Sequence, residues 1–93
     1  MKEYQYPLNL DWNTNEMVIV MQMWDVLEQT YEKGVSIDVF MKAHQEFKTV
    51  VRSIGEERKL GREFEELSGY SLYRTLQKAK ETSTGKLRMK ELR

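Results

Sequence analysis

His44 is the only histidine of the chain and the side chain best suited to proton transfer. In covalent catalysis a histidine activates a serine or cysteine nucleophile beside it, and no motif in the sequence marks one. A zinc site needs three or four His, Cys or carboxylate ligands, but the chain has one histidine and no cysteine. We therefore interpret His44 as a half-buried side chain hydrogen-bonded to a neighbour. The sequence predicts a non-enzymatic protein with no cofactor.

Asp25, Glu28 and Glu32 form a row of carboxylates along one edge of a predicted helix. Such a row binds a divalent cation when a facing helix supplies further oxygen ligands. The paired E-x-x-H motifs of di-iron bundles are absent from this sequence. We therefore favour the alternative, a solvated acidic edge, and predict no metal site.

Two tyrosines and an arginine lie close together at a predicted turn between two helices. Tyrosine and arginine are enriched at the energetic centres of protein interfaces, and a tight turn would hold them rigidly. Tyr70, Tyr73 and Arg74 are therefore a candidate interaction surface. In the alternative, both rings fill the corner between the helices and Arg74 pairs with Glu65 or Glu66.

Four amphipathic helices with short connections are predicted between residues 14 and 81. Apolar residues recur at helical spacing in each, and polar residues suited to capping precede them. The predicted helices run from a cap at Asn13 or Thr14 to about Lys33, from a cap at Ser36 through Val51, from Ser53 to about Ser68, and from Tyr70 or Ser71 to about Glu81. The predicted fold class is all-α, a compact array or bundle of four short helices.

An extended N-terminal arm is predicted to pack on these helices. Its large side chains alternate with smaller or polar residues, and a period of two points them to one side of an extended segment. Pro7 lacks a backbone donor, so we predict an arm and not a strand of a sheet. The alternating residues are Tyr4, Tyr6, Leu8, Leu10 and Trp12.

The first helix is apolar on two faces. Ile19, Met23 and Val26 lie opposite its main stripe, so they must be covered by the arm or by a second copy of the chain. They are the candidate self-association face of a weak homodimer. The main stripe comprises Met17, Val20, Met21, Trp24, Leu27 and Tyr31.

The charge of the chain is unevenly distributed although its net charge is zero. Residues 1–51 hold 4 Lys or Arg against 8 Asp or Glu, whereas residues 52–93 hold 11 against 7. A basic end binds phosphates or an acidic partner, but it is also typical of a solvated, disordered segment. We predict one helical domain over residues 1–81 and a flexible basic tail over residues 82–93.

A protein-interaction or regulatory role is the function that these features favour, with an unknown protein as the partner. The alternative is nucleic-acid association through the basic C-terminal end. Glutamates interleave with the basic residues of the third helix and would repel phosphates, so we expect nucleic-acid binding to be negligible. The longest apolar run, residues 17–21, is too short to span a bilayer. The absence of cysteine and of an N-terminal apolar segment predicts a cytoplasmic protein.

Three stretches resemble uncharacterised protein family 0223, a family of small proteins from Bacillus-type Gram-positive bacteria. The most specific stretch is Phe64-Glu65-Glu66-Leu67-Ser68-Gly69-Tyr70-Ser71-Leu72-Tyr73-Arg74, and the others are Tyr4-Gln5-Tyr6-Pro7-Leu8 with Asp11-Trp12, and Phe47-Lys48. The similarity covers residues 1 to about 80. It implies an all-helical fold of about four helices in a cytosolic bacterial protein. It implies no activity and assigns no functional residues.

Overall fold

Four helices follow one another along the chain, and a small sheet joins two distant segments. The computed structural model describes residues 6–82 and 85–89. The elements in chain order are α1 (Thr14–Glu32), β1 (Val35–Ser36), α2 (Ile37–Val50), α3 (Ile54–Ser68), α4 (Leu72–Glu81) and β2 (Lys86–Leu87). The predicted all-α fold class is confirmed. Within the described residues, no helix is both long and apolar enough to cross a bilayer.

Local hydrogen bonds set the helix ends where the sequence predicts them. At the start of α1, the Asn13 side chain accepts the backbone N–H of Glu16 at 2.8 Å, and the Glu16 carboxylate accepts the backbone N–H of Asn13 at 2.9 Å. This reciprocal pair satisfies two donors that a helix N-terminus otherwise leaves unpaired. Gly69 ends α3 in the left-handed conformation, with φ at 82°. The N-cap residues of the other three helices are Ser36, Ser53 and Ser71.

Three aromatic side chains connect α1, α2 and α3 at the centre of the core. The Trp24 ring stacks on Phe64 with 4.8 Å between ring centroids, and it meets Phe47 edge-on at 5.5 Å. All three side chains are fully buried. Burial of one large apolar side chain contributes about 1.5 to 3 kcal/mol, so this cluster accounts for a large share of the core stability.

The predicted self-association face of α1 is wrong, because the monomer covers it. Met23 is fully buried and Val26 is 5% exposed, and both belong to the single hydrophobic core. Ile19 is half-buried. The second apolar face of α1 is therefore explained by its packing, which is most extensive against α2. Met21, predicted to lie in the core stripe, is instead 42% exposed.

Residues 6 and 7 of the N-terminal arm pack on the helices as predicted. The carbonyl of Pro7 accepts a hydrogen bond from the Trp24 indole N–H at 3.2 Å, and Pro7 itself is buried. The ring of Tyr6 meets the edge of Phe64 with 5.9 Å between centroids. Tyr4, which the prediction also included, lies outside the described residues.

The predicted one-sided alternation of the arm is wrong after residue 7. Leu8 and Leu10 are exposed, Leu10 at 90%. Asn9 begins a turn, because its carbonyl accepts the N–H of Trp12 at 3.1 Å and its side chain accepts the N–H of Asp11 at 2.9 Å. An asparagine side chain that bonds its own backbone two residues later competes with an extended conformation. Trp12 is half-buried and contacts the core.

The predicted flexible tail is wrong for residues 85–89, which pack on the helical domain. Strand β2 pairs antiparallel with β1, with Val35 opposite Leu87. Leu87 is fully buried, and the N–H of Met89 donates to the carbonyl of Thr30 at 2.7 Å. A single apolar residue among basic ones gives no periodicity, so local sequence could not predict this pairing. The rest of the predicted tail beyond residue 82 lies outside the described residues.

Candidate interaction groove between α3 and α4

A groove of about 560 Å³ lies between α3 and α4 and also borders α2. Its lining residues on each helix repeat every three or four positions, which places them on one helical face. From α2 come His44 and Lys48. The α4 residues are Leu72, Tyr73, Leu76, Gln77 and Lys80. The α3 residues are Ile54, Glu57, Arg58, Gly61, Arg62 and Glu65.

The floor of the groove is apolar, and a glycine of α3 lies beside it. Leu72 is buried and Leu76 is half-buried at this floor. A Cβ atom built on Gly61 would lie 3.6 Å from the Cβ and Cδ2 atoms of Leu72, which is ordinary van der Waals contact. A side chain at position 61 would therefore touch Leu72 and cover part of the floor that glycine leaves uncovered.

Two large apolar side chains that line the groove are exposed to solvent. Ile54 on α3 is 62% exposed and Tyr73 on α4 is 66% exposed. Clustered exposed apolar side chains that border a groove are typical of interaction surfaces. The groove therefore combines an apolar floor with apolar side chains available for further burial.

The wall contributed by α2 and α3 contains a three-residue polar network. Nε2 of His44 lies 3.1 Å from Oε2 of Glu57, and the Lys48 ammonium lies 4.0 Å from Oε1 of the same carboxylate. The His44 ring also lies against Phe47, with 6.2 Å between ring centroids. The predicted hydrogen bond of His44 to a neighbour is confirmed, and the side chain is buried rather than half-buried. Glu57 thus has a positively charged or hydrogen-bonding partner on each oxygen.

The rim of the groove carries more positive than negative charge. Arg58 and Arg62 on α3 and Lys80 on α4 are exposed, and Glu65 is the exposed carboxylate among them. None of these four side chains forms an ion pair with another residue that the structure describes. Their charges are therefore available to a molecule in the groove.

Tyr70 of the predicted interaction surface is not accessible, which corrects that prediction. It is 2% exposed, and its ring stacks on Tyr31 of α1 with 4.4 Å between centroids and an interplanar angle of 14°. Its hydroxyl lies 3.3 Å from Oε2 of Glu32. The Tyr31 hydroxyl accepts the backbone N–H of Ser71 at 3.0 Å. Tyr70 therefore fastens the turn between α3 and α4 to α1.

The remaining polar residues of this turn also have structural roles. The Ser68 hydroxyl donates to the carbonyl of Phe64 at 2.7 Å and accepts the N–H of Tyr70 at 3.0 Å. The Ser71 hydroxyl accepts the N–H of Arg74 at 3.1 Å and caps α4. Together with Gly69, these bonds explain most of the Ser-Gly-Tyr-Ser stretch as a helix-to-helix connection.

Tyr73 and Arg74 reach the surface, but they do not share one site. Tyr73 lines the groove, whereas Arg74 is exposed and lies outside the set of groove residues. Among the described residues, Arg74 forms no ion pair with Glu65 or Glu66, so the pairing named in the alternative interpretation is also wrong. The sequence did not reveal the contribution of α3, because Arg58 and Arg62 alternate with glutamates along the chain. In the folded helix, most of those glutamates lie on other faces than the two arginines.

The predicted carboxylate row of α1 is engaged in separate hydrogen bonds. Asp25 accepts from the Gln29 side chain at 2.8 Å, Glu28 accepts from the Tyr6 hydroxyl, and Glu32 accepts from Tyr70. Across residues 6–82 and 85–89, no three His, Cys, Asp or Glu side chains come together in a way that holds a metal ion. Glu28 therefore holds the arm against α1 and Glu32 holds the turn, whereas Asp25 bonds within α1.

Comparison with protein families matches residues 3–88 to the family described as Uncharacterised protein family (UPF0223). A UPF0223 protein of Enterococcus faecalis is 63% identical over 89 residues, which cover 96% of this chain and 97% of that protein. A relative from Bacillus cytotoxicus is 45% identical over 91% of this chain and 96% of its own length. One from Listeria welshimeri is 46% identical over 94% and 97%. The resemblance found in the sequence is thus confirmed along nearly the whole chain, including α4 and β2.

Proposed function

We propose that this chain, which belongs to uncharacterised protein family 0223, is a non-enzymatic interaction domain that binds a polypeptide segment of a partner protein in the groove. The observation that carries the proposal is the pair of exposed side chains, Ile54 and Tyr73, above the apolar floor of Leu72 and Leu76. A partner side chain placed between them would bury apolar surface on three sides. Such a pocket for an apolar anchor is the usual energetic centre of a protein interface.

The size of the groove favours a weak, regulatory interaction over a permanent complex. Complete burial of one large apolar side chain contributes about 1.5 to 3 kcal/mol, and the groove offers two such side chains of its own. Association costs about 4 to 15 kcal/mol in lost translational and rotational freedom. These gains, about 3 to 6 kcal/mol, do not exceed the cost, so a partner must add buried side chains of its own and binds weakly. We therefore propose a transient partner that the cell engages and releases.

The chemistry of the groove supports a non-enzymatic role. Its lining residues include no serine, threonine or cysteine among the residues described. The imidazole of His44 is hydrogen-bonded to Glu57 within the wall of the groove. A general base has to reach the proton that it abstracts, and His44 is only 9% exposed. We also propose a cytoplasmic location, which the absence of cysteine supports.

Nucleic-acid association through the basic C-terminal end is the weaker alternative. Lys86 lies in β2 and Arg88 follows it, and the Lys78 ammonium of α4 donates to the Arg88 carbonyl at 2.8 Å. Because Leu87 is buried between them, removing residues 82–93 would damage the core and would not test binding. The Lys86→Glu/Arg88→Glu double variant is the cleaner test. Sub-micromolar binding of duplex DNA at physiological salt, lost in that variant, would favour this alternative.

Site-specific photo-crosslinking tests the proposed function. The crosslinking amino acid p-benzoylphenylalanine would replace Gln77, an exposed residue that lines the groove. The matched control replaces Gln45, which is exposed on α2 outside the groove. In irradiated Enterococcus faecalis cells that express this chain in place of its relative, we expect a discrete protein adduct, identified by mass spectrometry, from position 77 only. The adduct should disappear when Tyr73→Ala is added. Equal adducts from both positions, or none from position 77, would contradict the proposal.

A further inference from the structure

We infer that the polypeptide segment bound in the groove is acidic, with carboxylates on both sides of its apolar anchor. This inference rests on the proposed docking function and adds the chemistry of the partner. The evidence is which charged side chains of the groove are paired within the domain and which are not.

Glu57 lines the groove, so its carboxylate would be expected to repel anions. Its charge is instead balanced by two neighbouring side chains. One of its oxygens is bonded to His44 at 3.1 Å and the other faces Lys48 at 4.0 Å. Its side chain is 14% exposed, whereas that of Lys48 is 49% exposed. The negative charge is therefore turned into the wall and balanced there, while the exposed rim keeps its cations.

Cations lie on both sides of the apolar floor. Arg58 and Arg62 are one helical turn apart on α3, and Lys80 lies across the groove on α4. Glu65 is the one exposed carboxylate among these lining residues, so the rim holds three cations against one anion. Arginine binds carboxylates through two parallel hydrogen bonds, which gives direction as well as charge. A segment with Asp or Glu on both sides of an apolar residue would meet an arginine or lysine with each carboxylate.

The same groove is poorly suited to a nucleic acid. Its floor is formed by leucines, with no flat array of exposed aromatic rings on which bases would stack. Glu65 stands among the cations and would repel a continuous line of phosphates. An amphipathic peptide tolerates one rim carboxylate, because its own charges are discrete and separated by apolar side chains.

Three matched peptides of about 15 residues form the probe. All carry the same leucines at helical spacing, and the positions flanking the leucines are all Glu, all Gln or all Lys. Titration of each into the ¹⁵N-labelled chain is followed by amide chemical shifts, with Gly61 and Leu76 as reporters of the floor. We expect the Glu peptide to bind about tenfold more tightly than the Gln peptide at low salt, which corresponds to about 1.4 kcal/mol. The difference should shrink at high salt, since exposed charges are screened over about 10 Å at 0.1 M.

A charge-reversal pair of variants tests which residues read the acidic side chains. Arg58→Glu/Arg62→Glu should remove the preference for the Glu peptide over the Gln peptide. Lys59→Glu is the matched control, because Lys59 is exposed on the same helix but does not line the groove. It should retain the preference. Circular dichroism and unfolding midpoints establish that each variant is folded.

The possible outcomes separate this inference from the proposed function. If the Gln and Glu peptides shift the floor amides equally, the partner need not be acidic and the inference fails, while the docking groove stands. If the Lys peptide binds best, the inference is wrong in sign. If no peptide shifts these amides, both the inference and the groove as a docking site fail. Light scattering that shows a concentration-dependent oligomer lost in Arg58→Glu/Arg62→Glu would instead identify a second copy of this chain as the occupant.

Discussion

Tyr70 and Tyr73 are three residues apart where α3 leads into α4, yet one lies inside the domain and the other on its surface. Tyr70 is 2% exposed and stacks on Tyr31, whereas Tyr73 is 66% exposed and borders the groove. Tyr70 directly precedes Ser71, the N-cap of α4, and its ring is buried against Tyr31 of α1. Tyr73 lies within the first turn of α4, where the buried neighbours are Leu72 and Thr75.

The comparison shows that residue type does not decide role at this turn. Both tyrosines have the apolar body and polar tip that suit interfaces. The buried ring uses its hydroxyl on Glu32 and stabilises the fold, while the exposed ring has its apolar face available to a partner. The inner side of the turn is therefore expected to control stability, and the outer side to control binding.

The largest change in stability is expected for a second pair of buried and exposed residues, two methionines of α1. Met23→Glu should destabilise the domain by about 4 kcal/mol or more, because it places a charge without a partner in the core. Met21→Glu should change stability by less than about 0.5 kcal/mol, since Met21 is partly exposed. Urea unfolding measures both free energies, and light scattering reports the oligomeric state. A folded Met23→Glu variant with unchanged stability would restore the self-association face.

The two tyrosines of the turn give the most direct test. Tyr70→Ala should cost about 3 to 5 kcal/mol through the loss of a buried aromatic ring. Tyr73→Ala should cost less than about 0.5 kcal/mol and remove the crosslinked partner adduct. Thermal unfolding and crosslinking from position 77 measure the two effects. Equal loss of stability in the two variants would show that Tyr73 also belongs to the core.

A smaller effect is expected from the C-terminal strand. Leu87→Ala should lower the free energy of unfolding by about 2 to 4 kcal/mol, because Leu87 is fully buried against the helices. Lys86→Ala is the control, since the neighbouring side chain is exposed. Chemical denaturation compares them. If Leu87→Ala has no effect, β2 does not contribute to the stability of the domain.

The smallest expected effect concerns the hydroxyl of Tyr6, which donates to Glu28. Burial raises the pKa of Tyr6 above its ordinary value of 10.0, and the nearby charges of Asp25 and Glu32 raise it further. As pH rises past 10.0, the unfolded chain loses this proton while the folded chain keeps it, so the free energy of unfolding falls.

Tyr6→Phe should cost about 1 kcal/mol near neutral pH through the lost hydrogen bond. Between about pH 9 and pH 11, where tyrosine titrates, the free energy of unfolding should also fall less in this variant than in the natural chain. Urea midpoints across this range provide the measurement. An identical alkaline decline in both proteins would assign the effect to other groups.

Much of the fold follows from the sequence because its signals are local. The caps at Asn13, Ser36 and Ser71 form their hydrogen bonds within three residues, and the left-handed Gly69 closes α3 without outside help. These bonds depend little on the rest of the chain. Family membership was also readable from the turn and arm residues.

The candidate site was less predictable, because helical phase and packing between helices decide it. Tyr73 was identified from its type, but Ile54, Arg58 and Arg62 join it only when α3 lies beside α4. Leu67 follows Phe64 at helical spacing, which favours burial, yet Leu67 is 50% exposed and the neighbouring Ser68 is buried. An angular shift of one residue along a helix is enough to exchange these roles.

The sequence alone determined four helices, their ends and an arm that packs on them, since these depend on hydrogen bonds and periodicity over a few residues. Only the tertiary structure decided that Met23 and Tyr70 are interior, that Val35 pairs with Leu87, and that three helix faces enclose a groove. The physical reason is range. Contacts between distant segments depend on how whole helices dock, and no pattern within one segment records that docking.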